Sequence, residues 1–258
     1  MRKTLILSLA CILLTAMPTA RAQKVCAHRG FWNCKEAQHA QNSITSLRLA
    51  QENGFWGSEF DVHLTADSLI VVNHDPSLNG IPIATSTYKQ LLETRLPNGE
   101  TIPTLQEYLD QGSKSSCVLV LEIKPQATVE KTLYLTESSV KALKSRNLMD
   151  PARVVFISFS YDACIWIAKN YPDFDNQYLG GDKTPEEIHA DGIRSLDYHF
   201  LRLYLHPDWV KRAHDLGMNV NAWTVDSLSD MRKLKKMGVD IITTNKPLKA
   251  ARLAESSK

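Results

Sequence analysis

The chain has 258 residues, of which 43% are hydrophobic and 22% are charged, and it contains 11 glycines and 11 prolines. This composition excludes collagen, a coiled coil and a disordered chain, and the length suits one large α/β domain or two small ones. The 30 basic and 28 acidic residues give a formal net charge of +2, which argues against a strongly basic nucleic-acid-binding protein.

Residues 1–22 have the pattern of a secretory signal peptide. Two basic residues precede an apolar run from Leu5 to Leu14, and a small-x-small cleavage site ends at Ala22. A membrane anchor is the alternative, but the run is shorter than the roughly 20 apolar residues of a spanning helix. We expect an exported, periplasmic or secreted protein whose mature chain, residues 23–258, is a single domain without stable membrane insertion. Removing the segment's three basic residues leaves 27 basic against 28 acidic residues.

Four cysteines follow this segment, namely Cys26, Cys34, Cys117 and Cys164. Their spacing forms no metal-binding or redox motif. An exported compartment permits disulfides, yet Cys26, Cys117 and Cys164 lie in apolar patterns that are typical of packed thiols. The sequence leaves a bridge between Cys26 and Cys34 open.

Beyond residue 23 the chain alternates short apolar strands with helical patterns, which predicts a parallel sheet. The predicted strands are Val25–His28, Gly57–Val62, Val118–Lys124, Arg153–Ser158, Gln177–Leu179, Ile193–Asp197, Met218–Val225 and Val239–Thr243. The predicted helices include Ser43–Asn53, Thr128–Arg146, Tyr161–Asn170, Pro207–Leu216 and Leu228–Met237. This rhythm and size predict an α/β fold, a (β/α)8 TIM barrel. A doubly wound sheet is the alternative, but no Gly-x-Gly-x-x-Gly motif follows the first strand.

One extra strand, Leu69–His74, follows the second strand too closely for a parallel crossover. It predicts a small hairpin insertion with its turn near residues 66–68. That turn would place His74 opposite Glu59 or Phe60, next to the acidic residues of the second strand.

Ionisable residues cluster at the predicted carboxyl ends of the strands, where TIM-barrel enzymes carry their catalytic groups. In chain order these residues are His28, Arg29, Glu59, Asp61, His74, Glu122 and Lys124. Glu59 and Asp61 are two positions apart and therefore share one face of their strand. Together with Glu122 they suit a hard divalent cation, Ca²⁺ or Mg²⁺, better than zinc. The alternative is that these residues are solvated charges at strand ends. Their occurrence at the ends of several successive segments disfavours this alternative.

These motifs, taken together, resemble the glycerophosphodiester phosphodiesterase family of the PLC-like phosphodiesterase superfamily. The resemblance rests on His28-Arg29-Gly30, Asn42, Glu59-Phe60-Asp61, His74-Asp75, Glu122-Ile123-Lys124 and Asn221-Ala222-Trp223-Thr224-Val225, and it extends over essentially the whole mature chain. It implies a TIM barrel with a small hairpin region over its top.

The resemblance also implies a role for each matching residue. Glu59, Asp61 and Glu122 would bind the metal, and His28 and His74 would be the general acid and base. Arg29 and Lys124 would face the substrate phosphate, and Trp223 would line the pocket.

Two positions depart from the family's pattern. The residue before Asn42 is Gln41, where the family usually has Glu, and Asn245 stands where it usually has Asp. Neither is an implied metal ligand or catalytic histidine, so the departures bear on substrate range and local structure.

The implied reaction is hydrolysis of a small-molecule glycerophosphodiester to glycerol 3-phosphate and an alcohol, with the neighbouring hydroxyl attacking phosphorus in an intramolecular step. A lysophospholipid or phosphoinositide-type substrate is an alternative, for which residues 198–205 would supply an apolar rim. A non-catalytic metal-binding barrel is another, but no implied ligand or histidine is missing. The order in which the histidines act and the oligomeric state stay open.

Overall fold

A closed barrel of eight parallel strands forms the centre of the computed structural model, which describes residues 23–255. The strands in this part of the chain are β1 (Lys24–Ala27), β2 (Gly57–Leu64), β3 (Ile70–Val72), β4 (Ser77–Leu78), β5 (Ile81–Pro82), β6 (Val118–Ile123), β7 (Val154–Ser158), β8 (Asp175–Tyr178), β9 (Ser195–His199), β10 (Asn219–Trp223) and β11 (Ile241–Thr244). Apart from β3, β4 and β5, each strand pairs in parallel with the next, and β11 pairs with β1 to close the barrel. The predicted (β/α)8 barrel is confirmed.

Helices follow the strands and cover the outside of the barrel. They are α1 (Ile44–Glu52), α2 (Tyr88–Leu91), α3 (Leu105–Gly112), α4 (Val129–Lys144), α5 (Tyr161–Asn170), α6 (Pro185–Ala190), α7 (Phe200–Leu205), α8 (Trp209–Asp215), α9 (Leu228–Met237) and α10 (Pro247–Glu255). Ser43, Thr104, Ser160 and Ser227 begin helices by accepting a hydrogen bond from a backbone N–H of the first turn. Gly238, at a φ of 90°, ends α9 in the left-handed conformation.

The amino-terminal end of the barrel interior is apolar on the side of β6 and β7, whereas Asp175 and Ser195, at the starts of β8 and β9, form a polar pair. Below the site, the interior is filled by an apolar cluster that includes Val118, Val120 and Val155. Along β2 the side chains alternate: Phe60 packs outward in a core cluster shared with the helices, so its neighbours Glu59 and Asp61 point into the barrel. This alternation puts buried carboxylates inside the barrel.

The predicted hairpin after β2 is present, and its register is one of the two expected. Strand β3 pairs antiparallel with β2 so that Val72 lies opposite Val62, and Thr65 N donates to Leu69 O at 2.9 Å. If this register continued for two more residues, His74 would lie opposite Phe60. The ladder itself ends earlier, where Asn73 N donates to Asp61 O at 3.0 Å.

The insertion is larger than the sequence predicted. It contains β4, β5, a 3₁₀ turn at Ile83–Thr85 and α2, and it returns to the barrel at α3. It has a small core of its own, built on Val71, Leu78 and Ile83. The hairpin is therefore held from both sides, by β2 and by this second core.

Two further predictions concern the cysteines and the segment 1–22. All four described cysteines are free, so Cys26 and Cys34 are not bridged, and Cys26, Cys117 and Cys164 are buried as predicted. The segment 1–22, with its predicted signal peptide, lies outside the described residues. Within 23–255, no helix is both long and apolar enough to cross a membrane.

Candidate active site

A cavity of about 120 Å³ opens at the carboxyl end of the barrel strands. Among its lining residues are His28, Arg29, Glu59, His74, Glu122 and Trp223. Asp61 and Lys124, the remaining residues singled out in the sequence, contact this group through ion pairs. The structure therefore brings all eight candidates to one site, on elements that span the chain from β1 to β10.

Three buried carboxylates form the anionic centre of the site. Oxygens of Glu59, Asp61 and Glu122 all lie within 4.8 Å of one another, and the three residues are 2%, 0% and 7% exposed. Glu122 comes from the strand directly beside β2, because Asp61 and Glu122 are register partners. Burial and the neighbouring carboxylates raise the pKa of Glu59 well above its usual value and that of Glu122 to about 8.

This donor set fits a hard divalent cation. Glu59 Oε1 is buried and has no hydrogen-bond partner among residues 23–255, while Glu59 Oε2 accepts from Arg29 N at 2.7 Å. Convergent carboxylate oxygens are the ligands that Ca²⁺ and Mg²⁺ prefer, and a bound cation would offset their mutual repulsion.

Lys124 supplies positive charge directly at the carboxylates. Its Nζ lies 3.0 Å from Asp61 Oδ1 and 2.8 Å from Glu122 Oε1. Burial alone would raise the pKa of Asp61, but the Lys124 ammonium holds it below its usual range. Lys124 was expected to face the phosphate, and here it pairs with two of the three carboxylates.

Asn42 fixes the position of Asp61. The Asn42 side-chain amide donates to Asp61 Oδ2 at 2.8 Å, and Asp61 N donates back to Asn42 Oδ1 at 3.3 Å. Asn42 is 1% exposed and has a left-handed φ of 55°, a conformation that Asn tolerates better than most residues. These two bonds leave Asp61 Oδ1 for Lys124.

His28 is held in one tautomer by a polar chain on the far side of its ring. Its Nδ1 lies 2.8 Å from Asn245 Oδ1, and Asn245 Nδ2 donates to Asp226 Oδ2 at 2.9 Å. Because an amide oxygen only accepts, Nδ1 carries the proton and Nε2, 4.0 Å from Glu59 Oε2, carries the lone pair. Burial, together with the Arg29 guanidinium, lowers the pKa of His28 to about 4. Asn245, which departs from the family's pattern, thus contacts a candidate catalytic histidine directly.

His74 reaches the cavity from the loop after β3. Its Nδ1 lies 2.7 Å from Asp75 Oδ1, and its backbone oxygen lies 3.1 Å from His63 Nε2. Burial lowers the pKa of His74, while the carboxylates of Asp61 and Asp75 favour its charged form. His74 is thus more open to solvent than His28, with side chains 33% and 15% exposed respectively.

Arg29 lines the cavity and has one side-chain donor without a protein partner among the described residues. Its Nη1 donates to Gln41 Oε1 at 2.6 Å, whereas its buried Nε has no partner among the described residues. Gln41 holds the guanidinium without neutralising it, as the usual Glu would. The charge on Arg29 therefore stays available to an anion such as a phosphate.

Gly30 allows this turn to pack against α1. It has a φ of 80°, and a Cβ atom there would lie 2.4 Å from Ser46 Oγ. Only glycine adopts this conformation without a side chain to collide with the helix.

Aromatic side chains form one wall of the mouth. Trp223 lines the cavity as expected, and its ring lies edge-on to Phe159 at 5.5 Å and to His199 at 5.3 Å. Phe159 is 42% exposed. This wall is where the cavity meets solvent.

Sequence reasoning missed three residues of this region, namely His63, Asp197 and Asp226. His63 has the same parity on β2 as Glu59 and Asp61, a signal that was available. Asp197 is an ionisable residue at the carboxyl end of a predicted strand, which is the criterion that the other candidates met. For Asp226 there was no signal, because its contact with Asn245 depends on how β10 and β11 lie side by side.

Comparison with known proteins agrees with this geometry. The model of the glycerophosphoryl diester phosphodiesterase family matches residues 28–249. A solved glycerophosphodiester phosphodiesterase from Parabacteroides distasonis has 41% identity and a TM-score of 0.88, with 93% of this chain and 99% of that chain covered. A phosphodiesterase from Oleispira antarctica, solved with the product sn-glycerol-3-phosphate, has 26% identity and a TM-score of 0.77 over 91% and 97% of the two chains.

A relative of known name supports the same assignment. The glycerophosphodiester phosphodiesterase of Caldanaerobacter subterraneus is 28% identical over 238 residues, which cover 86% of this chain and 94% of the relative. The chain belongs to the glycerophosphoryl diester phosphodiesterase family and is a phosphodiester hydrolase.

Proposed function

We propose that this enzyme hydrolyses glycerophosphodiesters to glycerol 3-phosphate and an alcohol, with Ca²⁺ or Mg²⁺ bound at Glu59, Asp61 and Glu122. The observation that carries the proposal is the meeting of this carboxylate cluster with two histidines in one cavity. The product found in the Oleispira antarctica relative is sn-glycerol-3-phosphate, which supports the same substrate class here. When bound, the cation supplies positive charge that polarises the phosphate oxygens and stabilises the charge that builds up on them.

His28 acts first as the general base. Its Nε2 carries a lone pair because Nδ1–H donates to Asn245, and its low pKa keeps the ring neutral. It removes the proton of the glycerol hydroxyl next to the phosphate, and that oxygen attacks phosphorus. The attack is intramolecular, so it benefits from proximity.

His74 acts as the general acid in this step. Burial lowers the pKa of His74, and the carboxylates of Asp61 and Asp75 oppose this shift by favouring the imidazolium. The protonated ring gives its proton to the oxygen of the leaving alcohol as the P–O bond breaks. The histidines then exchange roles: His74 takes a proton from water, the water oxygen attacks the cyclic phosphate, and His28 returns its proton to the glycerol oxygen. Glycerol 3-phosphate is the final product.

Arg29 and Lys124 stabilise negative charge during both steps. Arg29 offers its unpaired Nε to a phosphate oxygen, in the planar geometry that suits phosphate. Lys124 acts as a point charge at the carboxylate cluster, 2.8 Å from Glu122. Neither group has to transfer a proton.

The test is release of glycerol 3-phosphate from glycerophosphocholine and glycerophosphoethanolamine, measured with EDTA, with Ca²⁺ and with Mg²⁺. We expect metal-dependent release, which His28→Ala and His74→Ala each lower by roughly 100-fold or more. Glu59→Gln should instead raise the cation concentration needed, so that added cation partly restores activity. No release with any cation would refute the proposal.

Replacing a histidine outside the cavity is the matched control for the His28 and His74 variants. His214 lies on the outer helix α8, where its Nε2 pairs with Asp240 at 2.8 Å. His214→Ala should leave turnover unchanged. If it lowers turnover as much as His28→Ala does, the loss reflects stability and not acid–base catalysis.

A second substrate class is favoured by exposed apolar side chains beside the mouth. Leu201 and Leu205 on α7 are 52% and 70% exposed, and α7 follows His199, which contacts Trp223. Such a rim would suit the acyl chain of a lysophospholipid. Faster cleavage of lysophosphatidylcholine than of glycerophosphocholine, reversed by Leu201→Gln with Leu205→Gln, would favour this class.

We also propose that the enzyme is exported and cleaved after Ala22. The proposal rests on the basic start, the apolar run and the small residues of segment 1–22. Amino-terminal sequencing of the protein from the periplasm or medium should begin at Gln23. Full-length protein retained in the cytoplasm would refute it.

A further inference from the structure

Asp197 is a buried carboxylate in the cavity that the proposed reaction leaves unused. It is 1% exposed and lines the cavity together with His28, Glu59 and Trp223. It lies on β9 beside Asn221 of β10, and its backbone oxygen accepts from Trp223 Nε1 at 2.9 Å. The Trp223 ring is thus fixed above the residue.

The side chain of Asp197 lacks a protein partner at one oxygen. Asp197 Oδ1 is buried and has no hydrogen-bond donor among residues 23–255. Burial, and after it the negative charges of Glu122 and Asp175, raise the pKa of Asp197 well above its usual value. A buried polar atom without a partner is costly, which a ligand would relieve.

A neighbouring carboxylate shows how the barrel satisfies such a group internally. Asp175 on β8 accepts from Ser195 Oγ at 2.6 Å and from Gln177 Nε2 at 2.9 Å. Asp175 is half-buried at the start of β8 and does not line the cavity, whereas Asp197 is fully buried and does. The unpaired oxygen therefore belongs to the substrate side of the barrel.

The metal does not account for Asp197. Among the described residues, the converging group of possible ligands consists of Glu59, Asp61 and Glu122, without Asp197. The organic part of the substrate is therefore the remaining candidate for a hydrogen-bond partner of Asp197.

A hydroxyl group fits this position better than the quaternary ammonium of choline. A hydroxyl both donates and accepts, whereas a quaternary ammonium has no N–H to donate. The cavity of about 120 Å³ is lined by both Asp197 and the exposed Phe159, so the glycerol end can lie against Asp197 while the variable alcohol extends past Phe159 towards solvent.

We propose that Asp197 accepts a hydrogen bond from the terminal hydroxyl of the glycerol moiety and so makes the enzyme specific for the glycerol end of its substrate. This inference rests on the proposed glycerophosphodiester hydrolysis. The enzyme then discriminates weakly between different alcohol groups, because the alcohol end lies towards the open mouth of the cavity.

The test compares glycerophosphocholine with its propane-1,2-diol analogue, which keeps the hydroxyl next to the phosphate and lacks only the terminal one. We expect wild-type kcat/KM to favour glycerophosphocholine by roughly 10- to 100-fold. Asp197→Leu should bring the ratio close to 1, and Asp197→Asn, which retains an acceptor oxygen, should keep part of it. The matched control Asp175→Asn should leave the ratio unchanged.

A binding measurement separates this inference from the proposed function. Calorimetry with glycerol 3-phosphate and propane-1,2-diol 1-phosphate should show the same preference in wild type and its loss in Asp197→Leu, with or without turnover. Wild type without activity on any glycerophosphodiester would refute the proposed function, and the binding ratio would still decide the role of Asp197.

Three results would overturn the inference. They are equal wild-type affinity for the two phosphates, an equal loss on both substrates in Asp197→Leu, and a raised Mg²⁺ or Ca²⁺ requirement in Asp197→Asn. The last result would make Asp197 a metal ligand. Melting temperatures of each variant identify those that fail to fold.

Discussion

His28 depends on two residues that are distant from it in sequence. Asn245 accepts from its Nδ1, and Asp226 holds Asn245 by accepting from its side-chain amide at 2.9 Å and from its backbone N–H at 2.9 Å. The hydrogen bond to a neutral amide orients the ring and raises the pKa of His28 only against the larger effect of burial, whereas a carboxylate there would favour the imidazolium more strongly. At the scale of single residues, Asn245 therefore adjusts the acidity of the base.

Exchanging the amide and the carboxylate tests this argument. In Asn245→Asp combined with Asp226→Asn, the amide and carboxylate still pair, but the carboxylate now faces His28. The pKa of His28, about 4 in the native protein, should rise, and the fraction of neutral base at low pH should fall. We expect the acid limb of kcat/KM to move up by about 1–2 pH units, with activity at pH 8 nearly unchanged.

The single substitutions serve as controls for the exchange. Asn245→Asp alone places two carboxylates together and should lower stability, while Asp226→Asn alone leaves an amide against His28 and should keep the native acid limb. An unmoved acid limb in the double variant would mean that His28 is not the base whose protonation limits the rate.

Gly30 allows a prediction about stability at the same scale. Gly30→Ala should lower the free energy of unfolding by about 1–2 kcal/mol for the left-handed backbone and by roughly 1–3 kcal/mol more for the collision with Ser46. Gly54, with a φ of 66° and no atom within 4 Å of a Cβ, is the matched control and should show only the first loss. Urea unfolding measures both, and equal losses would contradict the packing argument.

At the scale of elements, the hairpin β2–β3 delivers His74. Its position follows from sequence, because a short turn and the two-residue period leave few registers. What holds the loop after β3 was not predicted: His63 Nε2 bonds to the backbone oxygen of His74 at 3.1 Å. Burial lowers the pKa of His63, so the ring is a neutral donor.

We expect His63→Ala to lower kcat by about tenfold, the value of one buried hydrogen bond, because His74 loses its fixed position. The cation concentration for half-maximal activity should stay unchanged, since among the described residues the His63 side chain bonds to the backbone of His74 and to none of the three carboxylates. His63→Gln keeps a donor and should recover part of kcat. A changed cation requirement in His63→Ala would show that the residue acts through the metal site instead.

Several strand boundaries differ from the prediction by one or two residues, and two of these strands carry polar side chains into the barrel. Strand β8 begins at Asp175, two residues before the predicted start, and β9 runs from Ser195 to His199 instead of starting at Ile193. Hydrophobic periodicity fails there because the inward side chains bond to one another, as Asn221 does with Gln177 at 3.2 Å. Barrel closure creates these pairs, and local sequence does not encode them.

At the scale of the whole molecule, the sequence could predict the barrel and the converging candidates because both follow from the order of strands. Residues at the carboxyl ends of parallel strands meet at one rim whatever the details of packing. The pairings of Asn245 with His28 and of Lys124 with Asp61 needed side-chain geometry. So did the unpaired oxygen of Asp197.

The fold does not depend on disulfides within the described residues, although the chain is proposed to be exported. Burial raises the pKa of Cys117 to about 11 and also raises those of Cys26 and Cys164. Cys34 alone among the four is only half-buried, with its Sγ donating to Phe31 O at 3.3 Å. Thiolate is the reactive form, so buried thiols with raised pKa values react slowly.

We therefore expect a thiol reagent at pH 8 to modify one cysteine of the native mature chain quickly, and the Cys34→Ser variant to lose that reaction. Denatured in guanidinium, the same chain should expose all four thiols. A reducing agent should leave the melting temperature unchanged, because no cross-link restrains the unfolded chain. A drop in melting temperature on reduction, with fewer than four thiols titrated before it, would show that a disulfide forms on export.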